Sequence, residues 1–140
     1  MSGKAFVDSN ILVYAHDRLA GDKFTRAQEL LATLWVENRG VLSTQVLQEF
    51  CLNARRKAKH PVGWNEMQEA IRDFMSWETV LNNANSVLHA MELERRYQLS
   101  FWDAMIVQAA ESAGCEVLYS EDLSHGQNYG GVRVVNPFVS

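Results

Sequence analysis

Lys4-Ala5-Phe6-Val7-Asp8-Ser9-Asn10-Ile11-Leu12-Val13-Tyr14-Ala15-His16 is the stretch that decides the fold. Lys4 to Val7 reads as a short strand, Asp8-Ser9-Asn10 stops it, and Ile11 to His16 reads as a short helix. A strand that passes straight into a helix opens a βα unit, and the alternation continues along the chain. From Asp22, read as an N-cap, the apolar residues Phe24, Ala27, Leu30, Leu31, Leu34 and Trp35 recur at helical spacing, and Gly40 closes that helix. Val41-Leu42 is a second short strand. A helix from Ser43 or Thr44 carries Val46, Leu47, Phe50 and Ala54 until Pro61 and Gly63 break the pattern. Another begins near Asn65 with Met67, Ala70, Ile71, Phe74 and Met75 on its apolar side. Thr79-Val80-Leu81 is the third strand, Val87 to Tyr97 and Ser100 to Gly114 are helices, and Glu116–Tyr119 and Val132–Val135 complete five strands. Helix-length segments between short strands predict an α/β fold with a mostly parallel sheet covered by helices. By periodicity the Trp and Phe residues belong mostly to the core.

The chain has 140 residues with no linker, repeat or low-complexity break, so a single domain over 1–140 is expected. An apolar fraction of 47% against 21% charged excludes a disordered chain. No apolar run approaches the roughly 20 residues of a membrane-spanning helix. Asp8 falls where a secretion signal would need its apolar stretch, which points to the cytoplasm. Cys51 and Cys115 read as buried free thiols, not a disulfide framework. A net charge of -4 argues against a large nonspecific nucleic-acid surface, but leaves room for a local basic patch or a carboxylate metal site.

Four acids occupy unusual places. Asp8 ends the first strand, Glu49 borders the packed face of the helix after the second strand, Asp103 lies in the first turn of the helix before the fourth strand, and Asp122 follows that strand. Ligand crevices of parallel sheets lie beyond the carboxyl ends of the strands, where these acids converge. Each also has a plainer role: Asp8 as a cap, Asp103 as the acid of a Ser100-x-x-Asp103 capping box, Asp122 as a loop acid beside Glu121. Together, converging carboxylates repel one another unless a hard divalent cation joins them. The four histidines are scattered, and His16-Asp17 has no second histidine pair to complete a metal motif, so zinc does not fit. An all-oxygen Mg²⁺ or Mn²⁺ site suits phosphodiester hydrolysis, with Ser9 and Asn10 as neutral supporting donors.

Four blocks now carry a resemblance. Phe6-Val7-Asp8-Ser9-Asn10-Ile11-Leu12-Val13-Tyr14-Ala15, Ser43-Thr44-Gln45-Val46-Leu47-Gln48-Glu49-Phe50, Ser100-Phe101-Trp102-Asp103-Ala104-Met105-Ile106 and Leu118-Tyr119-Ser120-Glu121-Asp122-Leu123 resemble, in order, the blocks of PIN-domain ribonucleases. The closest similarity is to the VapC toxins of bacterial toxin–antitoxin pairs. Phe101 stands where tyrosine is frequent. The resemblance implies a three-layer PIN-like fold with a central five-stranded sheet in the order 3-2-1-4-5. It implies an endoribonuclease dependent on one or two Mg²⁺ or Mn²⁺ ions, with Asp8, Glu49, Asp103 and Asp122 lining the metal site. The fourth acid is the least secure, because Glu121 adjoins it. A homodimer and a small antitoxin that blocks the active groove are implied as well.

Arg55-Arg56-Lys57-Ala58-Lys59-His60 lies about 9 to 15 Å beyond Glu49 by helical rise, within reach of phosphates flanking a scissile one. Arg55, Arg56, Lys57 and Lys59 are therefore candidate RNA contacts, against the plainer reading of cations at a helix C-terminus. A receiver domain needs an aspartate after strand three and a late lysine, and both are missing. A haloacid-dehalogenase-type phosphatase needs Asp-x-Asp where Asp8-Ser9-Asn10 stands. The alternative from another class is a non-catalytic RNA-binding or scaffold module, which normally lacks the metal carboxylates present here.

Overall fold

The computed structural model describes residues 3–139; Met1, Ser2 and Ser140, parts of the stretches read for a leader and for the domain's ends, lie outside them. The elements follow as β1 (Ala5–Val7), α1 (Ser9–Ala15), a 3₁₀ turn (Arg18–Ala20), α2 (Asp22–Glu37), β2 (Gly40–Ser43), α3 (Thr44–Arg56) and α4 (Trp64–Phe74). Then come β3 (Glu78–Val80), α5 (Ala84–Tyr97), α6 (Phe101–Ser112), β4 (Val117–Tyr119), β5 (Asn128–Tyr129) and β6 (Val132–Val135). The strands form one sheet in the order β3-β2-β1-β4-β6-β5. Every pairing is parallel except β5 with β6.

The apolar first strand takes the centre because it can be buried on both faces. Phe6 is wholly buried and pairs with Val41 on one side and Leu118 on the other. Burial of such a side chain is worth about 1.5–3 kcal/mol. Helices flank the sheet: α1 packs on α2 and α3, α3 on α4, and α5 on α6. An aromatic cluster closes the first group. Phe74 meets Phe50, Trp35 and Trp77 with ring centroids 6.0, 5.1 and 5.3 Å away. Among the described residues no helix is long and apolar enough to cross a membrane.

Several expectations need correction. The sheet has six strands, not five, because Tyr129-Gly130-Gly131-Val132 makes a tight hairpin. Gly130 and Gly131 have φ of 58° and 94°, which is what a two-residue turn of the primed type needs. The parallel strands keep the expected order, with β6 in fifth place. Asp22 is the first helical residue and Gly21 the N-cap. Asn38 ends α2 in the left-handed conformation, while Gly40 starts β2. Gly40 is there for space: a Cβ would collide with the Trp77 ring. The tryptophans are not mostly core. Trp64 and Trp102 sit in the first turns of α4 and α6 and are largely exposed, whereas Trp77 is buried. Cys115 is buried as expected and Cys51 is only half-buried.

Candidate active site

Asp8 leaves the C-terminal end of the central strand and caps α1, its Oδ1 accepting the Ser9 N–H at 2.7 Å. Its Oδ2 accepts the Ser120 hydroxyl at 2.7 Å. Register explains that partner: Val7 pairs with Tyr119 across β1 and β4, so the residues that follow them emerge side by side. Asp8 is 5% exposed. Burial, and secondarily the charges of Glu49 and Asp122, push its carboxyl up to about 7 against the opposing hydrogen bonds from Ser120 and Ser9.

Neutral donors connect the neighbouring acids. Ser9 Oγ donates to Glu49 Oε1 at 3.1 Å, and Asn10 Nδ2 donates to Asp122 Oδ2 at 3.1 Å. Ser120 Oγ also accepts the Asp122 N–H at 3.2 Å. The structure thus brings Asp8, Glu49 and Asp122 around Ser9, Asn10 and Ser120. Asp103 arrives differently. Its N–H is capped by Ser100 Oγ at 3.2 Å, so the capping role of Ser100 is real, but the reciprocal half of a capping box is absent among the described residues. What ties its helix to the site is Gln45, whose Nε2 donates to Glu49 Oε2 at 3.3 Å and to the Trp102 carbonyl at 3.2 Å. Both partners are acceptors, so the amide nitrogen must face them. The buried Gln45 Oε1 then has no hydrogen-bond partner among the described residues.

Glu121 is committed elsewhere. It pairs with Lys23 and accepts the Tyr14 hydroxyl at 2.8 Å. That hydrogen-bonded carboxylate holds the Lys23 ammonium above its ordinary range. The basic run divides. Arg55 donates to the Cys51 carbonyl at 2.9 Å and lies over the Trp64 ring, while Arg56 ends α3 exposed. Lys57 and Lys59 instead line a groove of about 610 Å³ that runs from Ser9, Asn10 and Asp122 past Tyr14. His16 turns its Nδ1 to the Leu12 carbonyl at 2.9 Å and packs on Phe50, so it has no part in the acidic cluster.

The pattern of the PIN domain family matches residues 5–128. The chain belongs to the PIN domain family. Three solved structures show the same fold at low sequence identity. A toxin–antitoxin complex from Klebsiella pneumoniae is 19% identical with a TM-score of 0.69, over 96% of this chain and 98% of that one. The sarcin–ricin loop cleaving toxin VapC20 of Mycobacterium tuberculosis is 20% identical with a TM-score of 0.65, over 85% and 90%. DNA-bound VapBC from Salmonella typhimurium is 19% identical with a TM-score of 0.63, over 94% and 96%. No curated protein sequence matches this chain closely enough to count as a relative.

In this PIN domain the acids do not stand as a closed cage. Among the described residues no three acidic, histidine or cysteine side chains hold metal-ligating geometry. The reason is local, since Asp8, Glu49 and Asp122 have each turned to a hydroxyl or amide donor. The donor set still fits a hard divalent cation. It is made of oxygen, one member is a buried carboxyl resisting its own ionisation, and Gln45, bonded to Glu49, carries an orphaned acceptor, Oε1. Sequence reasoning missed Ser120, which sheet register would have found. It also missed Gln45, one helical turn before Glu49 on the same face.

Proposed function

We propose that this PIN domain is a divalent-metal-dependent endoribonuclease and the toxin of a toxin–antitoxin pair. The observation that carries the reading is Asp8: a buried carboxyl at the centre of the sheet edge, flanked by Glu49 and Asp122 and pushed up to about 7. Asp8, Glu49, Asp103 and Asp122 would hold one or two Mg²⁺ or Mn²⁺ ions. A bound metal supplies an acidified water and stabilises charge on the phosphorus and leaving oxygen. Ser9, Asn10 and Ser120 orient the acids. Gln45 couples Glu49 to the start of α6. Histidines take no part, so hydrolysis leaves 5′-phosphate and 3′-hydroxyl ends instead of a cyclic phosphate.

Family membership supports nuclease chemistry. The toxin–antitoxin complexes among the structural neighbours support an antitoxin partner; a homodimer resident in the cytoplasm completes the reading. A cationic antitoxin tail would neutralise the acids in place of metal. Calorimetric Mn²⁺ titration tests the site: wild type should bind, and Asp8→Asn and Glu49→Gln should each bind at least tenfold more weakly. Equal affinity in all three proteins would reassign the acids to structural roles and favour a non-catalytic RNA-binding module. Light scattering after coexpression with the neighbouring gene product tests the dimer and the partner.

A further inference from the structure

Asp17 is a polar residue that the hydrolytic reading does not use. It is 3% exposed, yet its carboxylate accepts three backbone N–H groups. One comes from Leu19 in its own turn, at 3.2 Å. The other two come from the distant loop after α3: Lys59 at 2.8 Å and His60 at 3.0 Å. A buried carboxylate is retained when such donors satisfy it, and here the donors are the exposed-loop amides that no helix or strand would otherwise pair. The loop is pinned at its start as well, where the Lys57 N–H meets the Asn53 carbonyl at 2.7 Å.

The pinned segment forms one wall of the groove that Ser9, Asn10 and Asp122 also line, with Lys57 and Lys59 on that wall. Both lysines are exposed, and among the described residues neither has an acidic partner, unlike Lys23 with Glu121. Asp22 and the Glu121-paired Lys23 line the same groove, so Lys57 and Lys59 are its two cations without an acidic partner among the described residues. A volume of about 610 Å³ is in the range of small-ligand sites. Two unpaired ammonium groups on that wall suit an anion.

We propose that Lys57 and Lys59 seat a backbone phosphate of the RNA strand flanking the scissile one, and that Asp17 is the positioning residue that builds the seat. The proposal rests on the ribonuclease reading above. Arg55 and Arg56, part of the same basic run, are outside the seat.

The test uses the full chain, a labelled single-stranded RNA and EDTA to prevent cleavage, with binding followed by anisotropy over a range of KCl concentrations. Lys57→Ala/Lys59→Ala should reduce the salt slope by about 0.7 for each phosphate that is no longer neutralised. Asp17→Asn should reduce it comparably, and should add nothing in the lysine-free background. A merely structural Asp17 would leave the slope alone. Hydrogen exchange at the Lys59 and His60 amides should be slow in wild type and fast in Asp17→Asn; slow exchange in the variant would overturn the tie. Should Asp17→Asn fail to fold, the lysine variant decides, because an unchanged slope there overturns the seat while RNA binding keeps the ribonuclease reading. No RNA binding by wild type would remove both. Loss of affinity for an acidic peptide but not for RNA would assign the wall to a protein partner and overturn the proposal.

Discussion

Asp8→Asn should stabilise the metal-free protein above neutral pH, although it alters the residue on which the proposed chemistry depends. The ordinary value for this carboxyl is 3.8, and burial with neighbouring charge takes it to about 7 in the folded protein. Between those values the native state keeps the proton and the unfolded chain releases it. Stability therefore falls as pH rises from about 4 to about 7, and levels off beyond. The difference corresponds to about 4 kcal/mol. Asparagine keeps the acceptor for the Ser9 N–H but turns an NH₂ group toward Ser120, whose hydroxyl proton loses its acceptor. That loss costs about 1–2 kcal/mol. The net gain at pH 8 in EDTA is thus about 2–3 kcal/mol; it falls to zero near about pH 5 and becomes a deficit of about 1–2 kcal/mol near pH 4. Mn²⁺ at a hundredfold the wild-type Kd should narrow the gap by about 1 kcal/mol or more, since it stabilises wild type by about 2.7 kcal/mol and a variant that binds tenfold more weakly by about 1.4 kcal/mol. Urea unfolding followed by tryptophan fluorescence across this pH range measures the gap. A variant no more stable than wild type at pH 8 in EDTA, or a gap that does not change with pH, would refute the reasoning.

Asp103→Asn should behave differently, because Asp103 is half-exposed in the first turn of α6. Its loss should cost under about 1 kcal/mol through the helix dipole while weakening Mn²⁺ binding, as paired melting and titration would show. Gly40→Ala must displace the Trp77 ring and should destabilise by about 1–3 kcal/mol in chemical denaturation. Burial, and secondarily Glu78, pushes the Cys115 thiol up to about 12, so native protein should react with a thiol reagent at Cys51 only and unfolded protein at both. Fast native labelling of Cys115 would contradict its burial.

The parallel order was legible because β1, β2 and β4 are apolar runs with helical patterns between them, and β6 follows β4 as a further apolar run. The two-residue β5 was not read, since Asn128-Tyr129 carries no periodicity; its signal was the Gly-Gly turn that follows. Helix ends misled where glycine serves two purposes. Gly40 looks like a cap by composition, yet Asn38 takes the left-handed position and Gly40 makes room for Trp77. In the site, Asp8 and Glu49 stood out as acids among apolar neighbours. Ser120, Gln45 and Asp17 did not, because their importance comes from partners distant in the chain: Asp8, Trp102 and the 59–60 amides. The basic run read as one patch, and three-dimensional placement split it between a Trp64 stack and the groove wall.

The central claim is metal-dependent hydrolysis of RNA at the Asp8 cluster, and the most direct measurement is analysis of product ends from end-labelled RNAs of several structural classes, looped RNAs included. The account predicts no cleavage in EDTA, restored cleavage with Mn²⁺, 5′-phosphate and 3′-hydroxyl ends, and loss of all activity in Asp8→Asn. Cleavage that persists in EDTA, or products ending in 2′,3′-cyclic phosphate, would contradict it.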